Sequence, residues 1–464
     1  MKTVIGSSIR VTNPTDELMK WATDHLVIPN PEYIKKTRMH FWTGNTPKLL
    51  YMYEMHGDEL ILPFGVLRSV LPMLTKDALT VEFVTRSKVD YQADVPLYDY
   101  QETAVEAAYE NQYGIIQSAA GSGKTQMGIA LVAKFGRRAL WLTHTADLLS
   151  QSRERAARYM DKSMIGTITE GKVNIGSGIT FATVQTMCKL DLAQYRDMWD
   201  VIIVDECHRV AGTPTAMTQF YKVLNSLCAR HKYGLSATVH RSDGMITATY
   251  AILGEVIHTV PDEAVKDKIM RVGICAVGTG TTISQECINT DGTLNYTKLI
   301  TYLTGDFERN MTIRDCIAQE WQHPCLILSD RLEHLETLMV MLPKSMQEFA
   351  VMISGKMTSK KGKAEREKAL DDMRKGYKKY LFATYSLAKE GLDVPCLERL
   401  FLVTPQKDYA VITQSIGRIA RIAEGKQPPI AYDFVDDIPY LRKSYKTRCT
   451  TYRKNGCYFT EDTQ

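Results

Sequence analysis

The alternation of apolar and polar positions divides the chain into a short front segment and two longer α/β arrays. Over residues 1–95, aromatic and β-branched runs are short and are broken by Gly-Asn, Thr-Pro and His-Gly-Asp. This pattern predicts a small α+β or β-rich module with hairpin-like turns. From Tyr98 onward, buried apolar strands alternate with helix-forming segments, which is typical of a parallel sheet covered by helices on both faces.

The first array begins with a helix-forming segment, QETAVEAAYE, and contains a second helix that ends at Gly136. Its predicted strands are YGIIQ, RALWLTH, ITFATVQ, WDVIIVDECH and HKYGLSAT. The strands predicted in the second array are MRVGICAVGT, PCLILSD, KYLFATY, RLFLVTP and IAYDFVD. We therefore expect two α/β domains in tandem, joined near residues 260–267. The expected segments are 1–95, 96–262, 263–445 and a basic tail, 446–464.

Composition narrows the class of protein only slightly. The net charge of the 464 residues is +4, from 57 basic and 53 acidic residues, which does not by itself indicate a nucleic-acid-binding protein. Ten cysteines without a CxxC pair favour a reducing compartment and no zinc site. No run of 18 apolar residues and no secretory signal is present, so we expect a cytoplasmic protein without a membrane span.

One stretch of the front segment mixes positive charge with aromatic side chains. It contains Lys35, Lys36, Arg38, His40 and Trp42. Contact with nucleic acid is one interpretation, and a solvated face beside core aromatics is the other. The sequence leaves both open.

The segment SAAGSGKT, residues 118–125, follows a strand and opens a helix. It matches the phosphate-binding pattern G-x-x-x-x-G-K-[ST] except that Ser118 stands at the first Gly position. Backbone N–H groups around Gly121, Ser122 and Gly123 could wrap an anion at the helix N-terminus. Lys124 would reach the β- and γ-phosphates, and Thr125 would supply an oxygen to Mg²⁺.

Two acids end the most apolar strand, VIIVDECH. Asp205 is predicted to hold Mg²⁺, and Glu206 to orient or deprotonate the attacking water. Together with the loop they predict a Mg²⁺–ATP site.

The ordered motifs DECH, SAT at 236–238 and QSIGRIAR at 414–421 resemble the DExH branch of superfamily 2 helicases. The resemblance covers about residues 96–440 and implies two RecA-like domains with ATP between them. WTGN ahead of the motor, LYDYQ and RSDG are similar to phage-encoded branched-DNA helicases of the UvsW type, and to the XPB-like group. The DECH box separates the chain from the DEAD-box RNA helicases.

The resemblance implies roles for further residues of the nucleotide site. Gln101, with Tyr100 or Tyr98, resembles an adenine-sensing element. Arg418 and Arg421 resemble arginine fingers, and their spacing predicts that they share one face of a helix. KEGLDVP resembles the fifth motif, in which Gly391 would permit close backbone approach and Asp393 would contact ribose or steady a finger.

The same resemblance implies coupling residues and contacts with nucleic acid. Ser236 and Thr238 would couple hydrolysis to domain movement, and His208 would bridge to Gln414. Strand-end hydroxyls and an amide would grip the phosphate backbone, so binding would be largely independent of sequence and sensitive to salt. These residues are Thr143, Thr183, Gln185, Ser329 and Thr384.

The implied function is that of an ATP-dependent DNA helicase or translocase acting on branched or partly duplex DNA. The front module would help to engage the duplex, and a monomer is the working expectation. Two alternatives stay open: an RNA helicase on the same motor, and an ATP-gated clamp that separates no strands. The basic tail, with its interleaved tyrosines, either helps to hold DNA or forms a helix packed on the second domain.

Overall fold

The computed structural model describes residues 1–119, 121–237, 244–265, 269–355, 357, 359–389 and 392–460. The chain divides into two compact units, with the main boundary between Asp262 and Glu263. No helix within these ranges combines the length and apolar character needed to cross a membrane.

The front of the first unit is an α+β module. Its five-stranded sheet has the order β5-β6-β2-β1-β7, and β3 pairs with β4 separately. The strands are β1 (Lys2–Ile5), β2 (Ser8–Thr12), β3 (Val27–Pro29), β4 (Leu49–Tyr51), β5 (Glu54–His56), β6 (Glu59–Pro63) and β7 (Leu79–Val81). The helices are α1 (Asp16–His25), α2 (Pro31–Arg38) and α3 (Leu67–Val70). The predicted mixture of hairpins and helices is confirmed.

The rest of the first unit is an eight-stranded sheet in the order β11-β10-β12-β9-β13-β14-β8-β15, parallel except for the β10–β11 pair. Its strands are β8 (Gly114–Gln117), β9 (Ala139–Thr143), β10 (Ile165–Thr169), β11 (Lys172–Asn174), β12 (Ile179–Thr183), β13 (Val201–Asp205), β14 (His231–Ser236) and β15 (Val256–Thr259). Its helices are α4 (Asp99–Asn111), α5 (Lys124–Phe135), α6 (Ala146–Ala156), α7 (Val184–Met187), α8 (Gln219–Ser226) and α9 (Ile246–Leu253).

The front module shares a hydrophobic core with this sheet and its helices. Phe64 and Val66 of the module cluster with Ala248 and Ala251 of α9. Gly65 lies directly against the helix backbone, since an added Cβ would be 2.4 Å from the carbonyl oxygen of Tyr250. A larger residue would therefore push the module away from α9.

The second unit is built on a seven-stranded parallel sheet in the order β18-β19-β17-β20-β21-β16-β22. The strands are β16 (Gly273–Gly278), β17 (Cys325–Ser329), β18 (Ala350–Met352), β19 (Tyr380–Thr384), β20 (Arg399–Leu402), β21 (Ile430–Val435) and β22 (Tyr458–Phe459). The helices are α10 (Asp262–Val265), α11 (Tyr296–Gly305), α12 (Phe307–Gln319), α13 (Leu332–Met341), α14 (Lys344–Gln347), α15 (Lys360–Arg374), α16 (Tyr385–Lys389), α17 (Tyr409–Ile419) and α18 (Pro439–Lys454).

The C-terminal residues belong to the second unit. Helix α18 runs through the expected boundary at residue 446, and β22 adds a strand to the sheet. Arg448 forms a buried ion pair with Asp433, and the Tyr452 hydroxyl donates to the same carboxylate at 2.7 Å. These contacts agree with one of the two alternatives for the tail, in which it forms a helix packed on the second domain.

Candidate nucleotide-binding and coupling site

The phosphate-loop segment forms a turn between β8 and α5. Gly121 and Gly123 have φ values of 86° and 82°, a left-handed conformation that favours glycine. Ser118 does not have a positive φ, so the missing first glycine imposes no backbone strain there. Because α5 begins at Lys124, directly after Gly123, its N-terminal N–H groups face the turn, as an anion site requires.

Lys124 folds back over the loop that precedes it. Its ammonium group donates to the carbonyl oxygens of Ser118 and Ala119, each at 3.2 Å. The neighbouring Thr125 is half-buried in the first turn of α5, and Ser122 is buried. The predicted phosphate-binding side chains are therefore grouped around one turn.

Gln101 packs against this turn from α4. A Cβ added at Gly123 would lie 2.4 Å from Nε2 of Gln101. The Gln101 side chain accepts from the backbone N–H of Tyr98 at 3.0 Å and donates to the Tyr100 hydroxyl at 3.4 Å. The Tyr98 and Tyr100 rings are stacked, with centroids 5.8 Å apart. The predicted adenine-sensing group is thus assembled beside the loop, although its role stays a prediction.

Asp205 is a buried carboxylate at the end of β13. Its oxygens accept from the backbone N–H of Glu206 at 3.0 Å and from the Ser152 hydroxyl at 3.4 Å. Burial, and then the neighbouring Glu206 charge, raise the pKa of Asp205, whereas Lys124 lowers it. Two acids that resist ionising together are suited to a divalent cation, which would neutralise them. The buried Asp205 carboxylate therefore fits a Mg²⁺ ion, and the predicted sharing of that ion with Thr125 stays a prediction.

Glu206 adopts an uncommon backbone conformation. Its φ of 50° and ψ of 51° are left-handed, which is costly for a residue with a side chain. Strain of this kind is retained where the surrounding structure fixes a side chain in a functional position. In this conformation Glu206 Oε2 lies 3.2 Å from Nδ1 of His208.

His208 also contacts the end of the adjacent strand. Its Nδ1 lies 3.0 Å from the hydroxyl oxygen of Ser236, the last residue of β14. Strands β13 and β14 are parallel neighbours, so the acids that end β13 and the predicted coupling motif that ends β14 lie side by side. Thr238, the other predicted coupling residue, lies outside the described residues, as does Gly391.

Two residues of this site were missed by the sequence analysis. Ser152 lies on the buried face of α6, which an i, i+4 pattern with Leu148 could have indicated. The other is His144, which is 9% exposed and has no hydrogen-bond partner for either ring nitrogen among the described residues. Burial, and then Arg209, lower the pKa of His144 to about 4, so the ring is neutral at physiological pH.

The hydroxyl groups predicted to grip nucleic acid are engaged within the protein. In the first unit, Thr143 donates to the Thr145 carbonyl at 2.9 Å and Thr183 to the Thr186 hydroxyl at 3.0 Å; both side chains are buried. Gln185 is exposed and donates to the His144 carbonyl at 2.6 Å. If Thr143 and Thr183 contact nucleic acid, they would thus do so through backbone N–H groups at the strand ends.

The corresponding residues of the second unit differ in exposure. Ser329 is buried, and its hydroxyl lies 3.1 Å from Nδ1 of His334. Thr384 is half-buried, with its hydroxyl 2.9 Å from that of Ser386. Their contact with nucleic acid stays a prediction.

Gln414 lies on α17 and is buried. Its side-chain carbonyl has no hydrogen-bond partner within the described part of the chain. The predicted bridge to His208 stays a prediction.

The expectation that Arg418 and Arg421 share a helical face is wrong. Helix α17 ends at Ile419, and Arg421 forms a β-bridge with Ile269 beyond it. Arg418, in the last turn, donates to the Ala388 carbonyl at 2.9 Å. Arg421 forms an ion pair with Asp393, which corresponds to the finger-steadying alternative for that acid.

Comparison with protein families identifies two domains. Residues 94–241 match the model described as the type III restriction enzyme res subunit. Residues 308–423 match the helicase conserved C-terminal domain. The two matches fall in the first and second units respectively.

Several curated proteins are similar to the chain. It is 27% identical over 347 residues to a putative ATP-dependent RNA helicase of Acanthamoeba polyphaga mimivirus, covering 74% of this chain and 64% of that protein. It is 25% identical to a probable helicase of Escherichia phage T5, covering 98% and 95%. It is also 25% identical to the DNA 3'-5' translocase XPB2 of Sulfurisphaera tokodaii, covering 70% and 79%. The chain thus spans less than two thirds of the mimiviral relative.

One solved structure shares the fold of the chain. Dbp5 of S. cerevisiae, bound to RNA and ADP BeF3, has a TM-score of 0.55 at 17% identity, covering 86% of this chain and 94% of that one. UvsW of bacteriophage T4 has a TM-score of 0.42 at 16% identity, covering 99% of each chain. The chain carries two helicase domains in the order expected from its motifs, and it therefore belongs to the superfamily 2 helicases, which are ATP-dependent enzymes built on tandem RecA-like domains.

Proposed function

We propose that this helicase is a DNA motor that unwinds or remodels branched or partly duplex DNA, such as fork, recombination or repair intermediates. The observation that carries the proposal is the position of His208, whose Nδ1 lies within 3.2 Å of both the Glu206 carboxylate and the Ser236 hydroxyl. A change at the γ-phosphate can pass through this contact to the end of the next strand. Such a link suits a motor, because it connects the nucleotide site to a second element of the fold.

The proposed chemistry divides among residues of the first unit. Lys124 would neutralise phosphate charge, and Thr125 and Asp205 would hold Mg²⁺, which would supply further positive charge when bound. Glu206 accepts a proton from the attacking water or orients it. Ser152 fixes one oxygen of Asp205, and the backbone N–H of Glu206 fixes the other.

The second unit supplies the proposed arginine fingers. Arg418 and Arg421 would stabilise charge on the γ-phosphate in the transition state. The Asp393 carboxylate, which is paired with Arg421, limits the orientations that this guanidinium can take. Asp393 is therefore proposed as a positioning residue for the finger.

The choice of DNA is supported by the relative from Sulfurisphaera tokodaii, whose name describes a DNA translocase. Contacts through strand-end groups to the phosphate backbone would make binding independent of sequence and sensitive to salt. We further propose that residues 1–95 engage the substrate beside the motor, and that the protein works in the cytoplasm, as a monomer.

RNA is the second candidate substrate. It is favoured by the name of the mimiviral relative, a putative ATP-dependent RNA helicase, which is 27% identical. Because recognition of the 2′-hydroxyl separates the two substrates, oligonucleotides of the same sequence and length distinguish them.

The test is the rate of ATP hydrolysis with no nucleic acid, with forked DNA and with a forked RNA of the same sequence. Stimulation by DNA beyond that by RNA supports the proposal. Stimulation by RNA alone favours the second candidate, and no stimulation by either contradicts both. Lys124→Ala is the inactive control, and Lys134→Ala, on the same helix, is the matched variant outside the loop.

A further inference from the structure

The segment between β3 and β4 stands away from the core of the front module. It comprises α2 and the loop that follows it, and none of residues 31–49 is buried. Three large apolar side chains of this loop face solvent: Met39 is 50% exposed, Phe41 60% and Trp42 87%. Trp42 is the most exposed large apolar side chain among the described residues. The alternative in which these aromatics belong to the core is therefore wrong.

The exposed ring of Trp42 is held in place by the loop. Gly44 has a φ of 46°, and a Cβ added there would lie 2.6 Å from the Trp42 ring. The indole thus rests on the backbone of a glycine and leaves its remaining surface open. Exposing this much apolar area is unfavourable in an isolated protein, which indicates that the surface has a partner.

The loop is also fixed at both ends. Asn30, which caps α2, donates to the Pro47 carbonyl at 2.8 Å, and its own N–H donates to the Lys48 carbonyl at 2.9 Å. The Lys36 ammonium donates to the Thr46 hydroxyl at 2.8 Å. A partner would therefore meet a surface that is already ordered, which lowers the entropic cost of binding.

The charge around the aromatics is positive, whereas the rest of the module is acidic. Residues 31–48 contain four basic residues and one acid, and the remainder of residues 1–95 contains seven basic residues and ten acids. Lys36 pairs with that acid, Glu32, at 2.7 Å. The exposed cations of this segment are Lys35, Arg38 and Lys48.

We propose that Trp42 and Phe41 form a stacking site for unpaired bases of the DNA substrate, with Lys35, Arg38 and Lys48 contacting the flanking phosphates. Flat apolar rings beside cations match single-stranded nucleic acid, which offers base faces and backbone charge together. A regular duplex hides its base faces, so the site would select the unpaired part of a branched or partly duplex substrate. This inference rests on the proposed function, and it adds that the front module binds the unpaired part of the substrate.

The test is the affinity of the full chain for two single-stranded DNA oligonucleotides of equal length, one ordinary and one with abasic sites, measured by fluorescence anisotropy. We expect Trp42→Ala to weaken binding of the ordinary oligonucleotide by roughly 5-fold or more, and Trp42→Phe to restore most of it. On the abasic oligonucleotide, wild type and Trp42→Ala should bind alike. Arg38→Ala should weaken binding of both.

The controls separate this inference from the proposed function. Trp321→Ala removes another exposed tryptophan, 56% exposed and in the second unit, and should leave both affinities unchanged. Equal binding of the ordinary oligonucleotide by wild type and Trp42→Ala, or an equal loss on both oligonucleotides, overturns the stacking site. A single-stranded RNA of the same sequence is a third ligand, and a stacking effect seen with RNA but not with DNA also overturns the stacking site. If DNA still stimulates ATP hydrolysis in any of these cases, only this inference fails; if wild type neither binds DNA nor responds to it, both fail.

Discussion

The Nδ1 atom of His208 lies 3.0 Å from the hydroxyl oxygen of Ser236, and this contact joins the DECH segment to the end of the neighbouring strand β14. The same nitrogen is 3.2 Å from Glu206 Oε2, so one ring contacts the proposed water-activating acid and the coupling motif. Either of these two distances could change when the charge near Glu206 changes. The ring therefore offers a short path from hydrolysis to the end of β14.

Replacing His208 should uncouple ATP hydrolysis from strand separation. We expect His208→Ala to retain ATP binding, to lose most of the stimulation of hydrolysis by DNA, and to lose strand separation. The reason is that Lys124 and Asp205 keep their own contacts while the link to Ser236 is removed. Steady-state hydrolysis with and without DNA, beside strand separation, measures the effect. Ser236→Ala should reproduce it, and equal losses of basal and stimulated hydrolysis would argue for a direct catalytic role instead.

Removing the loop lysine should abolish hydrolysis. Lys124→Ala is expected to lower kcat by roughly 100-fold or more, because the charge on the phosphates in the transition state loses its nearest cation. Lys134→Ala lies on the same helix but pairs with Glu106 at the surface, and it should hydrolyse ATP like wild type. A large loss in Lys134→Ala would show that damage to α5, not loss of the phosphate contact, explains the effect.

The pairing of Arg421 with Asp393 predicts non-additive kinetics. Arg421→Ala should lower kcat strongly, and Asp393→Ala should lower it less, since the guanidinium remains but is less well oriented. In the Arg421→Ala background, Asp393→Ala should have little further effect, because the residue that it positions is gone. A double-mutant cycle on kcat tests this, and full additivity of the two losses would contradict a positioning role.

Lys232 should make stability depend on pH. Its buried ammonium donates to the carbonyls of Ser7 at 3.3 Å and Leu224 at 2.9 Å, and burial lowers its pKa from 10.5 to about 7. Between these values the unfolded chain binds a proton that the folded chain does not, so the free energy of unfolding rises with pH from about 7 toward 10.5. The rise should not exceed about 1.4 kcal/mol per pH unit.

The matched variant for this effect is Lys232→Met, which keeps the length of the side chain and cannot titrate. Thermal unfolding of both proteins from pH 6 to pH 9 measures the difference. Wild type should gain stability relative to the variant as the pH rises above 7. A difference in Tm that stays constant over this range would mean that Lys232 keeps an ordinary pKa in the folded protein.

Much of the fold follows from local sequence patterns. The apolar runs of the two arrays became parallel strands, because a strand buried on both faces must be apolar throughout. The phosphate turn could also be predicted from the sequence, since Gly121 and Gly123 occupy positions with a positive φ. Short edge strands such as β18 and β22 were missed because three or two residues give no periodicity.

Other features depend on contacts that local patterns do not encode. Helix α17 ends before Arg421, although the spacing from Arg418 suits a helix, because Arg421 pairs with Ile269 far away in the chain. The burial of His144 likewise comes from neighbours distant in sequence, including Glu206 and Arg209. The charged loop around Trp42 could not be told from a core segment until its exposure was known.

If ATP hydrolysis drives this protein along or through DNA, strands should separate when ATP is present. The measurement is release of a labelled strand from fork, Holliday-type, displacement-loop and simple overhang substrates, with ATP, by wild type and by Lys124→Ala. We expect release by wild type, most from branched or partly duplex DNA, and none by Lys124→Ala. Hydrolysis stimulated by DNA with no strand released from any substrate would contradict it and would favour an ATP-gated clamp.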